Sequence, residues 1–217
     1  MSMTLCSDLL LATGETLYMV CISTLLACAL GLLLGTWLFV STKIQNHKFI
    51  NRALNAVINI SRSIPFIILL VALIPLTRIL VGTSIGLHAA IVPLTLGAAP
   101  FFARLVDNIY KELPAGLLEA GQAMGANTWQ MISLIILPEA RPALIHAVTM
   151  TAITLVNYSA MAGTVGGGGL GDLAIRYGYQ RFDWSIMAYT VVILVIIVQI
   201  IQLIGDRWSR HFSRGIF

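Results

Sequence analysis

The sequence predicts an all-α, polytopic membrane protein with five transmembrane helices, and three observations predict it. Hydrophobic residues make up 58% of the 217 and charged residues only 10%, against roughly 25% charged in an average soluble domain. Mean hydropathy is +0.90. Four windows are free of charge and a fifth holds a single arginine. A helix needs about 20 apolar residues to cross the hydrocarbon core, so each window holds one crossing. The whole chain, 1–217, reads as one transmembrane domain.

Residues 16–42 carry no charge, and the first span falls at 15–40. No Lys or Arg precedes it and it is too long for a signal-peptide core, so a retained helix is expected. Gly31 and Gly35 form a GxxxG pair, read as a close helix contact rather than a dimer seam. The second span, 54–78, contains Arg62, with Pro65 and Pro75 each expected to free a carbonyl and bend the helix. Arg62 is placed near the inner end, where its side chain would snorkel to the surface; the alternative is a polar path. The third span is 86–106.

A polar interruption, 117-LLEAGQAMGANTWQMISLIILPEARPAL-144, follows, with Pro138 as a stop. The fourth span, 141–163, gathers Asn157, Tyr158 and Ser159, which serve either as helix–helix glue or as a pathway-facing surface. Next, 166-GGGGLG-171 fits G-x-G-x-x-G, but a membrane helix precedes it and no βαβ unit can be drawn, so no dinucleotide site follows. Consecutive glycines mark a flexible or re-entrant turn instead. The fifth span is 185–205.

The net charge is +4 and the pI near 9.2. No basic run interleaved with aromatics exists, so membrane orientation and contact with lipid, not nucleic acid, explain the cations. With five spans, Lys43, Lys48, Arg52, Arg62, Arg104, Lys111, Arg141, Arg207, Arg210 and Arg214 share one side. Only Arg78, Arg176 and Arg181 lie on the other, so the N-terminus is expected outside and the C-terminus in the cytoplasm. Cys6, Cys21 and Cys28 form no CxxC and suggest neither metal nor disulfide. His47, His88, His146 and His211 are scattered without carboxylates at hydrogen-bonding helical spacing, and no Asp or Glu falls in the interior of a predicted span. That argues against an ion-coupled carrier, which also would show inverted repeats. No phosphate-cradling G-x-x-x-x-G-K-[ST] occurs, so any ATP is hydrolysed elsewhere.

The polar interruption carries a fixed pattern. From Glu119 it reads E-A-G, three residues, Gly125, nine residues, then Ile135-x-Leu137-Pro138. This resembles the EAA loop of importer-type ATP-binding-cassette (ABC) permeases, E-A-A, three, G, nine, I-x-L-P, with Gly121 as the one departure. A short helix carrying Ala120, Gly121, Ala123, Met124 and Ala126 can sit deep in another protein's groove. Glu119, taken to lie near its start, suits the positive end of the dipole, and Pro114 and Pro138 bracket it. The runs 61-SRSIPFIILLVALIPLTR-78, 82-GTSIGLHAAIVPLTLGAAPFFAR-104 and 157-NYSAMAGTVGGGGLGDLAIRYGY-179 are similar to the permease subunits of bacterial methionine importers.

That resemblance implies a type I ABC importer permease fold in the bacterial inner membrane, and a transport subunit rather than an enzyme. It implies a second copy of the chain, two cytoplasmic ATPase subunits that bind ATP and Mg, and an extracytoplasmic methionine-binding protein. The chain itself would bind no cofactor or metal. Glu119, Ala120, Gly121, Ala123, Met124, Gly125 and Ala126 would form the coupling surface, with Gly125 ending or bending its helix. Tyr158, Ser159 and Met161, together with Arg62, are the candidate pathway or gate residues. Permeases for other amino acids are the nearest alternative.

Overall fold

A computed structural model describes residues 3–44 and 47–213; Arg214, counted above among the cations of one side, lies outside the described residues. Helix α1 (Met3–Lys43) is the longest and runs against α5 (Leu87–Glu112). The GxxxG pair makes that contact: a Cβ on Gly31 would meet the Ala99 carbonyl at 2.7 Å, and one on Gly35 the Ala103 carbonyl at 2.5 Å. The pair therefore joins two helices of one chain, as expected of a packing seam.

The second span is not one helix over 54–78. It divides into α2 (Lys48–Ser63), α3 (Phe66–Ala72) and α4 (Ile74–Val81), and α2 meets α3 at 103°. Ile64 is extended, at φ −82° and ψ 124°, as the ring of Pro65 requires of its predecessor. Pro75 falls in the first turn of α4, where a missing N–H costs nothing. Both prolines mark breaks, and the first is a corner rather than a kink.

After α5 come α6 (Ala115–Ala123), α7 (Thr128–Gln130) and α8 (Leu137–Gly163). Residues Met131–Ile136 are wound as a π-helix that joins α7 to α8, so Thr128–Gly163 runs as one 36-residue helix. Pro138 is thus not a stop. It stands in the first turn of α8, where the wider i→i+5 winding just before it leaves no carbonyl that needs its absent N–H. Helix α9 (Gly169–Leu173) and a second π turn (Ala174–Tyr179) lead into α10 (Trp184–Ser213). Among the described residues four helices are long and apolar enough to cross a membrane, and the count reaches five when the bent pair α2–α3 is taken as one span.

Two ends of the bundle are tied separately. At one, Glu15 Oε2 accepts the N–H of Gly169 at 2.7 Å and Thr16 Oγ1 that of Leu170 at 2.8 Å, while Gly86 N–H donates to the Gly166 carbonyl. The turn takes positive φ at Gly166, Gly168 and Gly169. At the other, Phe39, Tyr110, Met131 and Ile136 close a core, and Ser209 Oγ donates to the Pro142 carbonyl at 3.1 Å. Lys43, Lys111, Arg141, Arg207 and Arg210 belong to this second end.

Candidate functional site

The EAA-like segment folds as a short helix at the basic end. Helix α6 starts after Pro114, so Glu119 sits at its middle and not near its start. The helix stops because Gly125 takes φ +74°, a conformation that costs other residues about 1–2 kcal/mol. The Gly125 and Ala126 N–H groups then close onto the Gln122 and Gly121 carbonyls. Asn127 opens the next helix with a reciprocal capping box to Gln130. The element is therefore bounded by Gly125, which replaces Pro138 in that role.

Glu119, Ala120, Ala123, Met124 and Gly125 are exposed and Ala126 half-buried. Met124 and Trp129 expose 77% and 74% of their surface, large apolar areas for a polar loop. Gly121 points the other way. It is buried, and a Cβ there would meet Ile135 Cδ1 at 2.7 Å and Met131 Sδ at 2.8 Å. The one departure from the EAA pattern thus lies on the inward face and anchors α6 to the π segment.

A second region forms where the second span breaks. Arg62, Ile64, Phe66, Leu69, Gly97, Phe101 and Tyr158 line a pocket of about 140 Å³. Phe66 and Tyr158 stack with ring centroids 4.2 Å apart and planes at 5°. Gly97 and Phe101 of α5 share this pocket with Arg62, which stands three residues beyond Asn59 at the end of α2. Ser159 is buried, and its Oγ donates to the Val156 carbonyl of its own helix at 2.8 Å; in the single chain it reaches no open surface. Met161 is 38% exposed, two residues beyond it. The structure joins Arg62 to Tyr158 and separates both from Ser159.

Sequence reading missed a polar network between α2 and α5. Arg104 donates to Asn55 Oδ1 at 2.9 Å, Asn59 Oδ1 at 2.8 Å and Asp107 Oδ2 at 3.2 Å. Lys111 Nζ reaches the same Asp107 oxygen at 2.7 Å. The Asp107 side chain is wholly buried. Its signal was present, since Asn51, Asn55 and Asn59 recur every fourth residue and so share one helix face. His146 also has an acidic neighbour, Asp206 at 3.9 Å on α10, which sequence separation concealed.

At the opposite end, Asp8, Glu15, Asp172, Arg176 and Tyr177 border an open cavity of about 530 Å³ beneath the glycine turn. Arg176 bonds Asp172 one helical turn away, and this hydrogen bond raises the guanidinium above its ordinary pKa. Arg181 stands over the Tyr177 ring at 4.5 Å.

Residues 19–217 match the sequence profile of the binding-protein-dependent transport system inner membrane component. The chain belongs to that family. Among similar members, a probable D-methionine transport system permease protein MetI of Vibrio cholerae is 58% identical over 208 residues, covering 94% of this chain and 92% of that one. The methionine import system permease protein MetP of Bacillus subtilis is 46% identical, covering 90% and 89%. In shape, this inner membrane component superposes on a chain of the inward-facing MetNI methionine ABC transporter with a TM-score of 0.96. That chain is 49% identical, and the match covers 98% of this chain and 99% of that one. Like its relatives, the component is a multi-pass protein of the bacterial inner membrane with the type I importer permease fold.

Proposed function

We infer that the chain is the membrane-spanning permease subunit of an ATP-driven importer for methionine. One observation carries this most: identity of 58% over almost the full length to a methionine permease, with the coupling pattern at Glu119–Pro138 intact in spacing. The chain acts as a single permease domain and a transport subunit, not an enzyme. It pairs with a second copy of itself and with two ATPase subunits, which hold ATP and Mg. A methionine-binding protein delivers substrate from outside.

The basic end, with Lys43, Lys111, Arg141 and Arg210, faces the cytoplasm, which puts the N-terminus outside and the C-terminus inside. The exposed face of α6, Ala120, Ala123, Met124 and Glu119, with Gly125 and Ala126 at its end, seats on the ATPase. Gly121 fixes that face to the π segment from behind. ATPase closure then moves α6 and the helices joined to it as rigid bodies. Arg62, Tyr158 and Met161 line the path, where Met161 can seal a narrow opening yet move aside.

Proteoliposomes holding the full complex test the reading. Uptake of radiolabelled methionine should require ATP inside and the binding protein outside. Stimulation of the ATPase by another amino acid's loaded binding protein, and never by methionine's, would overturn the substrate.

A further inference from the structure

We propose that the groove between α8 and α10 at the basic end is a binding site for one anionic phospholipid. An acyl chain fills the groove and the phosphate sits on Arg141 at its mouth. The proposal rests on the reading of that end as the cytoplasmic one, and not on the substrate.

The groove encloses about 450 Å³ and runs from Arg141 and Phe212 at one end to Ala152 and Ile201 at the other. Its floor is narrow because Gly205 packs directly on Thr149, where a Cβ would collide with the threonine side chain. The Thr149 hydroxyl donates to the Ile145 carbonyl of its own helix, so the floor offers a ligand no free donor. The walls are apolar and partly open, with Val148 36%, Ile204 51% and Trp208 64% exposed. A polar solute would lose hydrogen bonds on entering. A hydrocarbon chain would lose none.

Length and depth point to lipid. Arg141 to Ala152 and Ile201 to Phe212 each rise about 16 Å at 1.5 Å per residue. Half of a ~30 Å hydrocarbon core is about 15 Å, so the groove is as deep as one leaflet. Trp208 stands near the mouth, as tryptophan does at headgroup level. The direction of the opening agrees. Val148 and Ala152 precede Asn157 and Met161 by nine residues, about two and a half turns at 3.6 residues each. The groove therefore opens on the side of α8 opposite Met161, away from the path that two copies would share.

Charge selects the headgroup. Arg141 is exposed, lines the mouth, and has no hydrogen-bond or ion-pair partner among the described residues. A guanidinium grips a phosphate with two parallel hydrogen bonds. Basic pockets between spanning helices on the cytoplasmic side collect anionic headgroups for this reason.

Photolabelling tests this in the complex of permease and ATPase, held in phosphatidylcholine nanodiscs. The probe is phosphatidylglycerol with a diazirine near the end of one acyl chain. Label should concentrate on the peptides containing Ala152 and Ile201, above that around Val191 and Val195, which are also exposed on α10. Unlabelled phosphatidylglycerol should compete, and phosphatidylcholine should not. Arg141→Gln should lower the label about fivefold, the effect of one cation near the surface, and leave a phosphatidylcholine probe unaffected. Arg141→Lys should keep most of it. Val148→Phe, which fills the groove without touching the cation, should lower the label of both probes.

Equal labelling by the two probes in the wild type, or label spread evenly along α10, would reduce the groove to ordinary lipid contact and overturn the site. A groove without label, in a protein whose Val148→Cys variant forms a disulfide-linked dimer, would mean that a second copy covers it. The label reads the groove whichever way the chain is inserted, so failure of the orientation and failure of the lipid site are separate results.

Discussion

At the residue scale the glycines do different work at different places. Gly35 has the Ala103 carbonyl 2.5 Å from where a Cβ would stand, and a helix backbone cannot yield as a side-chain tip can. Gly35→Val should therefore separate α1 from α5, with an overpacking cost of about 1–3 kcal/mol. A lowered thermal midpoint of the detergent-solubilised protein would report it. Gly125 has nothing within 4 Å of its missing Cβ, so its requirement is conformational, at φ +74°. Gly125→Val should leave the bundle melting near its normal temperature but shift α6 against the Asn127 cap. The expected outcome is ATPase activity retained by the complex and methionine uptake reduced severalfold; equal coupling ratios in variant and wild type would remove Gly125 from coupling.

At the scale of elements, charge holds α5 to α2. Asp107 is buried between Arg104 and Lys111, and its Oδ1 has no partner among the described residues. Removing one member of a buried pair strands the rest, a loss of about 3–5 kcal/mol. Asp107→Asn should thus cost more stability than Lys111→Gln, whose cation is 35% exposed and screened by water. Denaturation of the two variants in matched detergent checks the order. The short helix α9 is held differently, by carboxylate and hydroxyl oxygens of α1 on the N–H groups of Gly169 and Leu170. Glu15→Ala removes a charge-assisted hydrogen bond of about 1.5–3 kcal/mol. Amide exchange at 166–170 should accelerate while exchange in α5 stays unchanged.

For the whole molecule the testable statement is its orientation. Gln180 is exposed at the end of the second π turn, and Gln122 is exposed on α6. In a background without Cys6, Cys21 and Cys28, Gln180→Cys should react with an impermeant thiol reagent added outside. Gln122→Cys should react only once the inner membrane is opened. The reverse pattern would invert the molecule and detach α6 from any cytoplasmic ATPase.

Composition and charge spacing by themselves determined that the chain is helical, polytopic and basic at one end, because the bilayer demands apolar runs of fixed length and flanking cations sort across it. The EAA-like pattern at Glu119–Pro138 was also legible, since its spacing lies within one local segment. What hydropathy could not decide was direction and partnership. It cannot tell a straight span from one that turns at Pro65, for a corner between two apolar helices leaves the hydropathy of 54–78 unchanged. Nor does spacing reveal that Gly121 faces inward, that Asn55 and Asn59 meet Arg104, or that Arg62 lines one pocket with Tyr158. Those contacts join residues some 10 to 96 positions apart, and only packing of α2, α5 and α8 around one another brings them together.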